Sequence, residues 1–212
     1  MTKRRLAKTL VLALVVSGIA AAAAVAGSGG GTKKQMAALQ HQVKTLKAQN
    51  TRLQQYSPAG IAKQLAAAKA SLNKYQDVNV AKAAGYAPAS PCTFFPGGGG
   101  NASSDQGGMG VHFMNQAYVA DGKLIPSKPE LLVYQPTANG GFQLVAAEYF
   151  KPDADQNVKT DGDRPTLFGR AFDGPMLGHA PGMPIHYDLH VWFWKYNTDG
   201  LFAEWNPAVT CS

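Results

Sequence analysis

Three regimes of hydrophobic patterning divide the chain. From Thr9 to Gly27 it carries no charge, and Met1–Lys8 ahead of that run holds Lys3, Arg4, Arg5 and Lys8. A positive segment followed by an apolar one is the pattern of a secretory signal peptide, and Ala24-Val25-Ala26 supplies a small-x-small cleavage site. The nineteen uncharged residues also approach the ~20 needed to span a bilayer. Residues 1–27 therefore read as a signal peptide or a membrane anchor. In the second regime Met36, Leu39, Val43, Leu46 and Leu53 alternate spacings of three and four, with Asn50 in the series. This heptad has a at 36, 43 and 50 and d at 39, 46 and 53, and polar Gln40, Gln42, Lys47, Gln49 and Gln54 flank it. Leu at d with one Asn at a predicts a parallel homodimer through residues 36–53. An amphipathic helix lying on its own domain has the same spacing. Ser57-Pro58-Ala59-Gly60 interrupts the helix, so residues 28–59 form a linker and a short coiled-coil-like segment. A second, alanine-rich helix is expected over residues 60–86, running from about Ile61 to Ala84 and stopped at Gly85. Its apolar face (Ile61, Leu65, Ala68, Leu72, Tyr75, Val78) is expected to pack on the domain that follows.

Beyond residue 87 the period changes from helical to alternating. Gly110–Asn115 reads as a strand, and Glu130–Gln135 with Phe142–Phe150 as a hairpin across Pro136-Thr137-Ala138-Asn139-Gly140-Gly141. Pro96–Gly110 reads as a flexible glycine-rich connection, and Pro152–Pro184 as a long loop. The segment Ile185–Trp194 is aromatic and β-branched, which favours a strand. Alternation then places Ile185, Tyr187, Leu189, Val191 and Phe193 on a core face, with His186, Asp188, His190, Trp192 and Trp194 opposite. A helix begun at Pro184 would instead stack His186 and His190 at i and i+4. The expected fold class is α+β: an N-terminal helical stalk, then a compact antiparallel β-rich domain over residues 87–212, barrel or sandwich, closed by one disulfide.

Charge separates the same parts. Residues 1–86 hold thirteen Lys and Arg against the single acid Asp77, and residues 87–212 hold seven against twelve acids. A basic stalk beside a membrane favours an anionic membrane surface or wall polymer. The basic segment lies on the exported side and lacks interleaved aromatics, which argues against nucleic acid. Cys92 and Cys211, the only cysteines, bracket the acidic domain. In an exported chain an isolated pair is most simply a disulfide. The expected location is extracytoplasmic, secreted or anchored by the N-terminal segment.

Candidate chemistry collects on the strands. His112 lies in Gly108-Met109-Gly110-Val111-His112-Phe113, and Glu148 shares strand parity with Phe142, Leu144 and Ala146, which points it inward. A buried carboxylate calls for a cation or a histidine beside it. His112, Glu148, His186 and His190 are the expected metal ligands around one cavity, with Asp188, Trp192 and Trp194 as ligand-binding neighbours. Imidazole with carboxylate suits a divalent Zn, Mn, Fe or Cu ion. Asp153-x-Asp155-x-Asn157 begins like a calcium loop, but Val158 replaces the glycine and Arg164 the bidentate acid, so an ordinary EF-hand is excluded. No Gly-x-Ser-x-Gly, phosphate loop or dinucleotide fingerprint occurs. The motifs Gly108–Phe113, Glu148-Tyr149-Phe150, His186–Trp192 and Trp205-Asn206-Pro207, with Tyr75-x-Asp77 and Ala84-Gly85-Tyr86 ahead of them, resemble a group of uncharacterised exported bacterial proteins over roughly residues 70–212. That resemblance carries no settled activity. Three functions stand: an extracytoplasmic domain binding a metal or small polar ligand, a non-catalytic envelope interaction module on a coiled-coil stalk, and a metal-dependent envelope enzyme.

Overall fold

The structure, a computed structural model, describes residues 32–99 and 105–211. The signal or anchor segment expected at 1–27 lies outside the described residues, and among these no helix is long and apolar enough to cross a membrane. The chain divides into two units, Met1–Gln55 and Tyr56–Ser212. In the first, α1 (Thr32–Gln55) is one uninterrupted helix, and Met36, Val43, Leu46 and Leu53 of the heptad series are exposed.

The second unit opens where Ser57 caps α2 (Pro58–Leu72). Its hydroxyl accepts from Gly60 N at 3.1 Å, and Pro58 occupies the first turn, where a missing N–H costs nothing. The long helix expected to Ala84 is not continuous. A 3-10 turn (Asn73–Gln76) intervenes, and Asp77 caps a separate α3 (Val78–Ala83) through Asn79 N at 2.8 Å. Short polar side chains compete for backbone bonds and favour such breaks. Groups at the break find partners across the core: Tyr134 OH of the sheet donates to Tyr75 O at 2.6 Å, and Trp194 Nε1, beyond the last strand, donates to the Asn73 side-chain Oδ1 at 2.8 Å. Gly85 follows with φ +95°, the left-handed stop anticipated for it.

The strands are β1 (Ala87–Pro88), β2 (Thr93–Phe94), β3 (Gly98–Gly99), β4 (Gly108–Met114), β5 (Leu131–Pro136), β6 (Phe142–Pro152), β7 (Thr166–Leu167), β8 (Arg170–Ala171), β9 (Asp173–Met176) and β10 (His186–Val191). Eight form one sheet in the order β3-β2-β4-β5-β6-β10-β9, with β1 also on β4. The pairings are antiparallel. The fold is thus α+β, and the described strands follow an open path with helices on one face in place of the expected barrel or sandwich. Ala68, Leu72, Tyr75 and Ala81 from the helical segments pack with Phe113, Leu132, Tyr149 and Leu189 of the sheet. Helix α4 (Gln116–Asp121) follows β4, capped by Asn115.

Two segments read as loops are structured. Gly108–Gly110 belongs to β4, whose two glycines let neighbouring backbone come close: a Cβ on Gly110 (φ +111°) would lie 2.6 Å from Tyr134 O, and one on Gly108 2.8 Å from Thr93 O. Residues 152–184 contain β7 to β9 and bury Phe168 and Phe172 in the core.

Cys92 and Cys211 are bonded, with Cα atoms 5.6 Å apart across 119 residues of sequence. They tie the segment before β2 to the C-terminus. Cys92→Ser/Cys211→Ser is expected to lower stability by about 4–5 kcal/mol through the freed denatured chain, read as a fall in the urea midpoint against the oxidised protein.

Candidate metal centre

Glu148 reaches the sheet face away from the helices because of a bulge in β6. Val133 pairs with Ala146, but Tyr134 pairs with Leu144, so Val145 is an extra residue. Leu144 and Ala147 consequently join the helix-side core, while Val145 and Ala146 pack on the other side with Val133, Trp192 and Val209. Glu148 alternates with Ala147 and Tyr149 and falls opposite the helices. The parity argument linking it to Phe142 and Leu144 fails at this bulge, although the side chain is buried at 4% exposure.

His190 on β10 is the direct cross-strand partner of Glu148, and His112 on β4 lies beyond the intervening β5, opposite Val133. Glu148 Oε2 is 3.3 Å from His112 Nε2 and 3.6 Å from His190 Nε2. One ligand atom from each of the three residues lies within 4.8 Å of the others, an arrangement able to hold a metal ion. The imidazoles meet edge to face with centroids 5.9 Å apart. His112 and His190 are 9% and 1% exposed. Trp192 stacks beneath His190 at 6.0 Å and 17°, held by its Nε1 donating to Ala203 O at 2.6 Å.

Hydrogen bonding assigns the imidazole of His112. Ser90 Oγ donates to Pro91 O at 2.8 Å and accepts from His112 N at 3.1 Å, and it lies 2.9 Å from His112 Nδ1. With the single hydroxyl proton on Pro91 O, Nδ1 carries the ring proton and Nε2 turns a lone pair toward Glu148. Glu148 Oε2 and both ring nitrogens of His190 are buried without a hydrogen bond. Buried polar atoms are normally satisfied, so acceptors converging on one point lack either a proton or a cation. Burial, reinforced by Asp188 and then Glu130, holds the Glu148 carboxyl well above the usual range. Burial, then His179, lowers His112 to about 4; burial, then His112, lowers His190 to about 3. Both imidazoles are neutral at physiological pH, the form that binds metal.

The remaining expected residues lie elsewhere. His186 is four positions along β10, paired with Pro152, and does not join the trio. Its Nδ1 is 3.0 Å from Pro184 O, its ring stacks on Phe150 at 4.7 Å, and its Nε2 stands 4.0 Å from Asp188 Oδ2. Asp188 sits between the two histidines at 4% exposure, with Oδ1 unbonded. Burial, then Asp173 and Glu204, pushes its carboxyl up to about 8. Trp194 is on the opposite face: regular strand ends at Val191, the chain turns as Phe193 N donates to Val191 O, and Trp194 packs against the helix-side core.

Ser90, Glu130, Asp173 and Glu204 escaped the sequence reading. Glu130 is wholly buried, accepts from Phe150 N at 3.1 Å, and is raised to about 7 chiefly by burial. An acid directly abutting the apolar run Leu131-Leu132-Val133 is the one signal that marked it. Compared with family models, with curated proteins and with solved structures, the chain matches none.

The raised carboxyls fix a pH dependence for metal-free protein. The buried histidines are neutral in the folded state, and the protons their unfolded counterparts hold at pH 6.5 are largely gone by about pH 7.5, whereas Glu130 (about 7) and Asp188 (about 8) keep protons that their unfolded counterparts have released. The folded state binds more protons, so stability falls as pH rises from 6.5 to 8, by up to about 1.4 kcal/mol per pH unit for each carboxyl still protonated. Urea midpoints across that interval should decline, and Glu130→Gln should make the decline shallower.

Proposed function

We propose that the domain is an extracytoplasmic metal-binding module whose ion is held by His112 Nε2, Glu148 and His190. The observation that carries this reading is the convergence of the two imidazoles on one oxygen of the buried Glu148 carboxyl, an oxygen that makes no hydrogen bond. Two nitrogens and one oxygen suit Zn, Mn, Fe or Cu, and three protein ligands leave open positions for water or a small polar ligand. Ser90 is the outer partner that orients His112, as a carboxylate or carbonyl orients ligating histidines elsewhere. The disulfide fits an oxidising, extracytoplasmic compartment, which agrees with export through residues 1–27 and with the resemblance to exported bacterial proteins.

Metal analysis of protein refolded with and without chelator tests this. One equivalent of a transition metal is expected in the absence of chelator, with none in His112→Ala or His190→Ala and affinity about 10–100-fold weaker in Ser90→Ala. Substoichiometric metal in the wild type, with unaltered stability in the histidine variants, would sink the reading.

A second reading concerns α1. We infer that it pairs in parallel with α1 of a second copy, displaying two domains on a basic stalk. Exposed Met36, Val43, Leu46 and Leu53 at heptad spacing support it, since such residues seek an apolar partner. Light scattering of the full chain should give twice the monomer mass, reverting to one in Leu39→Lys/Leu46→Lys. A monomeric wild type would remove this reading and leave the metal centre untouched.

A further inference from the structure

The Cys92–Cys211 bond joins the two segments that support the histidines of the metal centre. The first is the run of residues 89–92 between β1 and β2, laid along β4 as Ala89 N donates to His112 O at 2.8 Å. Ser90 in that run meets His112 twice, accepting from its backbone N–H at 3.1 Å and standing 2.9 Å from Nδ1 of its ring. The flanking strands hold the run by short pairings only. β1 (Ala87–Pro88) and β2 (Thr93–Phe94) each meet β4 over two residues, and Pro88 and Pro91 have no N–H to add a bond.

The second segment is the C-terminal stretch, residues 203–211, which carries neither helix nor strand. It supports His190 through Trp192, whose indole stacks on the His190 ring at 6.0 Å. Ala203 O accepts from Trp192 Nε1 at 2.6 Å, and Val209 shares the apolar cluster of Trp192. Two backbone bonds between Asn206 and Gly108 fasten the middle of the stretch to β4, and Cys211 fastens its end. A segment without a ladder owes its order to a few such anchors. Opening the one covalent anchor therefore slackens both supports in a single step. The aim of a ligating imidazole is set by its partners outside the metal, so both histidines lose precision together.

We propose that the disulfide sets the affinity of the metal centre, so that the oxidised chain holds the ion tightly and the reduced chain releases it more readily. The inference rests on the metal reading above and adds a regulation to it. The bond opens by exchange with a protein dithiol. One thiolate attacks a sulfur of the pair, the mixed disulfide resolves, and Cys92 and Cys211 are left as thiols while the dithiol becomes a disulfide, two electrons and two protons having passed to this chain. Linkage is reciprocal, so a bound ion opposes that exchange by the same factor by which reduction weakens its binding.

Cobalt(II) serves as the probe on the full chain, because its visible bands report ligand geometry as well as occupancy. The wild type is expected to take up one equivalent. Cys92→Ser/Cys211→Ser should bind cobalt about 10–100-fold more weakly, the cost of losing an outer partner, with altered bands. Opening the bond in a Ser90→Ala background should cost less than in the wild type, because the two changes act on one support. Val209→Ala keeps the bond and slackens the C-terminal segment alone, so it should weaken binding in the same direction even where the Ser/Ser protein does not pack. A disulfide that only stabilises the fold would lower the urea midpoint and leave cobalt affinity and bands unchanged in the folded protein. That result overturns the proposal, as does unchanged affinity in Val209→Ala. A wild type that takes up no cobalt removes the metal reading and this proposal with it, whereas a wild type that binds no better than its Ser/Ser variant removes this proposal alone.

Discussion

Everything on the far face of the sheet is arranged around one costly group, the carboxyl of Glu148. At 4% exposure it has lost its water, and an ionised carboxylate taken out of water costs several kcal/mol unless paired. Among the described residues its only close partners of opposite sign are His112 and His190, and these are held neutral by the same burial. The same burial raises the Glu148 carboxyl well above its usual range, which favours a proton there. A divalent cation bound there would take the place of that proton and would draw on all three groups at once.

Placing those groups requires a particular sheet. His112, Glu148 and His190 come from β4, β6 and β10, so the trio spans four adjacent strands, with β5 between the first two. The register His190↔Glu148 sets two of the three groups opposite each other, and the Val145 bulge sets Glu148 on the same side as the histidines. Slipping β6 by one residue would turn Glu148 into the helix-side core. The glycines of β4 allow β2 and the Asn206 segment to approach within backbone contact, and Asn206 and Gly108 exchange two backbone bonds at 3.1 and 3.2 Å. The C-terminal segment thereby covers the far face, with the Cys92–Cys211 bond fastening its end.

The sequence was legible where chain geometry stays regular. His186, Asp188 and His190 share the face that alternation assigns because β10 is an unbroken strand to Val191. Trp194 broke the pattern because the chain turns at Trp192–Phe193, and no residue there announces a turn. Glu148 was recognised as buried by an argument from parity with Leu144 that the bulge invalidates. Ser90 carried no signal, since its role exists only once Ala89 N donates to His112 O and lays the loop beside β4. The helix break at Asn73–Asp77 was written in two short polar residues, but alanine periodicity on both sides masked it.

The two faces of the sheet therefore divide the work. On the helix side, tyrosines 75, 86, 134 and 149 bury their rings, and the last three spend their hydroxyls on backbone carbonyls. On the far side the unsatisfied atoms are carboxyl oxygens of Glu148 and Asp188 and the two ring nitrogens of His190, one of which carries the proton of the neutral ring. A surplus of buried donors would select an anion, whereas a surplus of lone pairs selects a proton or a cation. Because the sheet keeps the two sets apart, the structural core can remain packed and neutral while the opposite face holds a frustrated polar cluster. The stability that the helices, the tyrosine anchors and the disulfide supply is what lets that cluster persist.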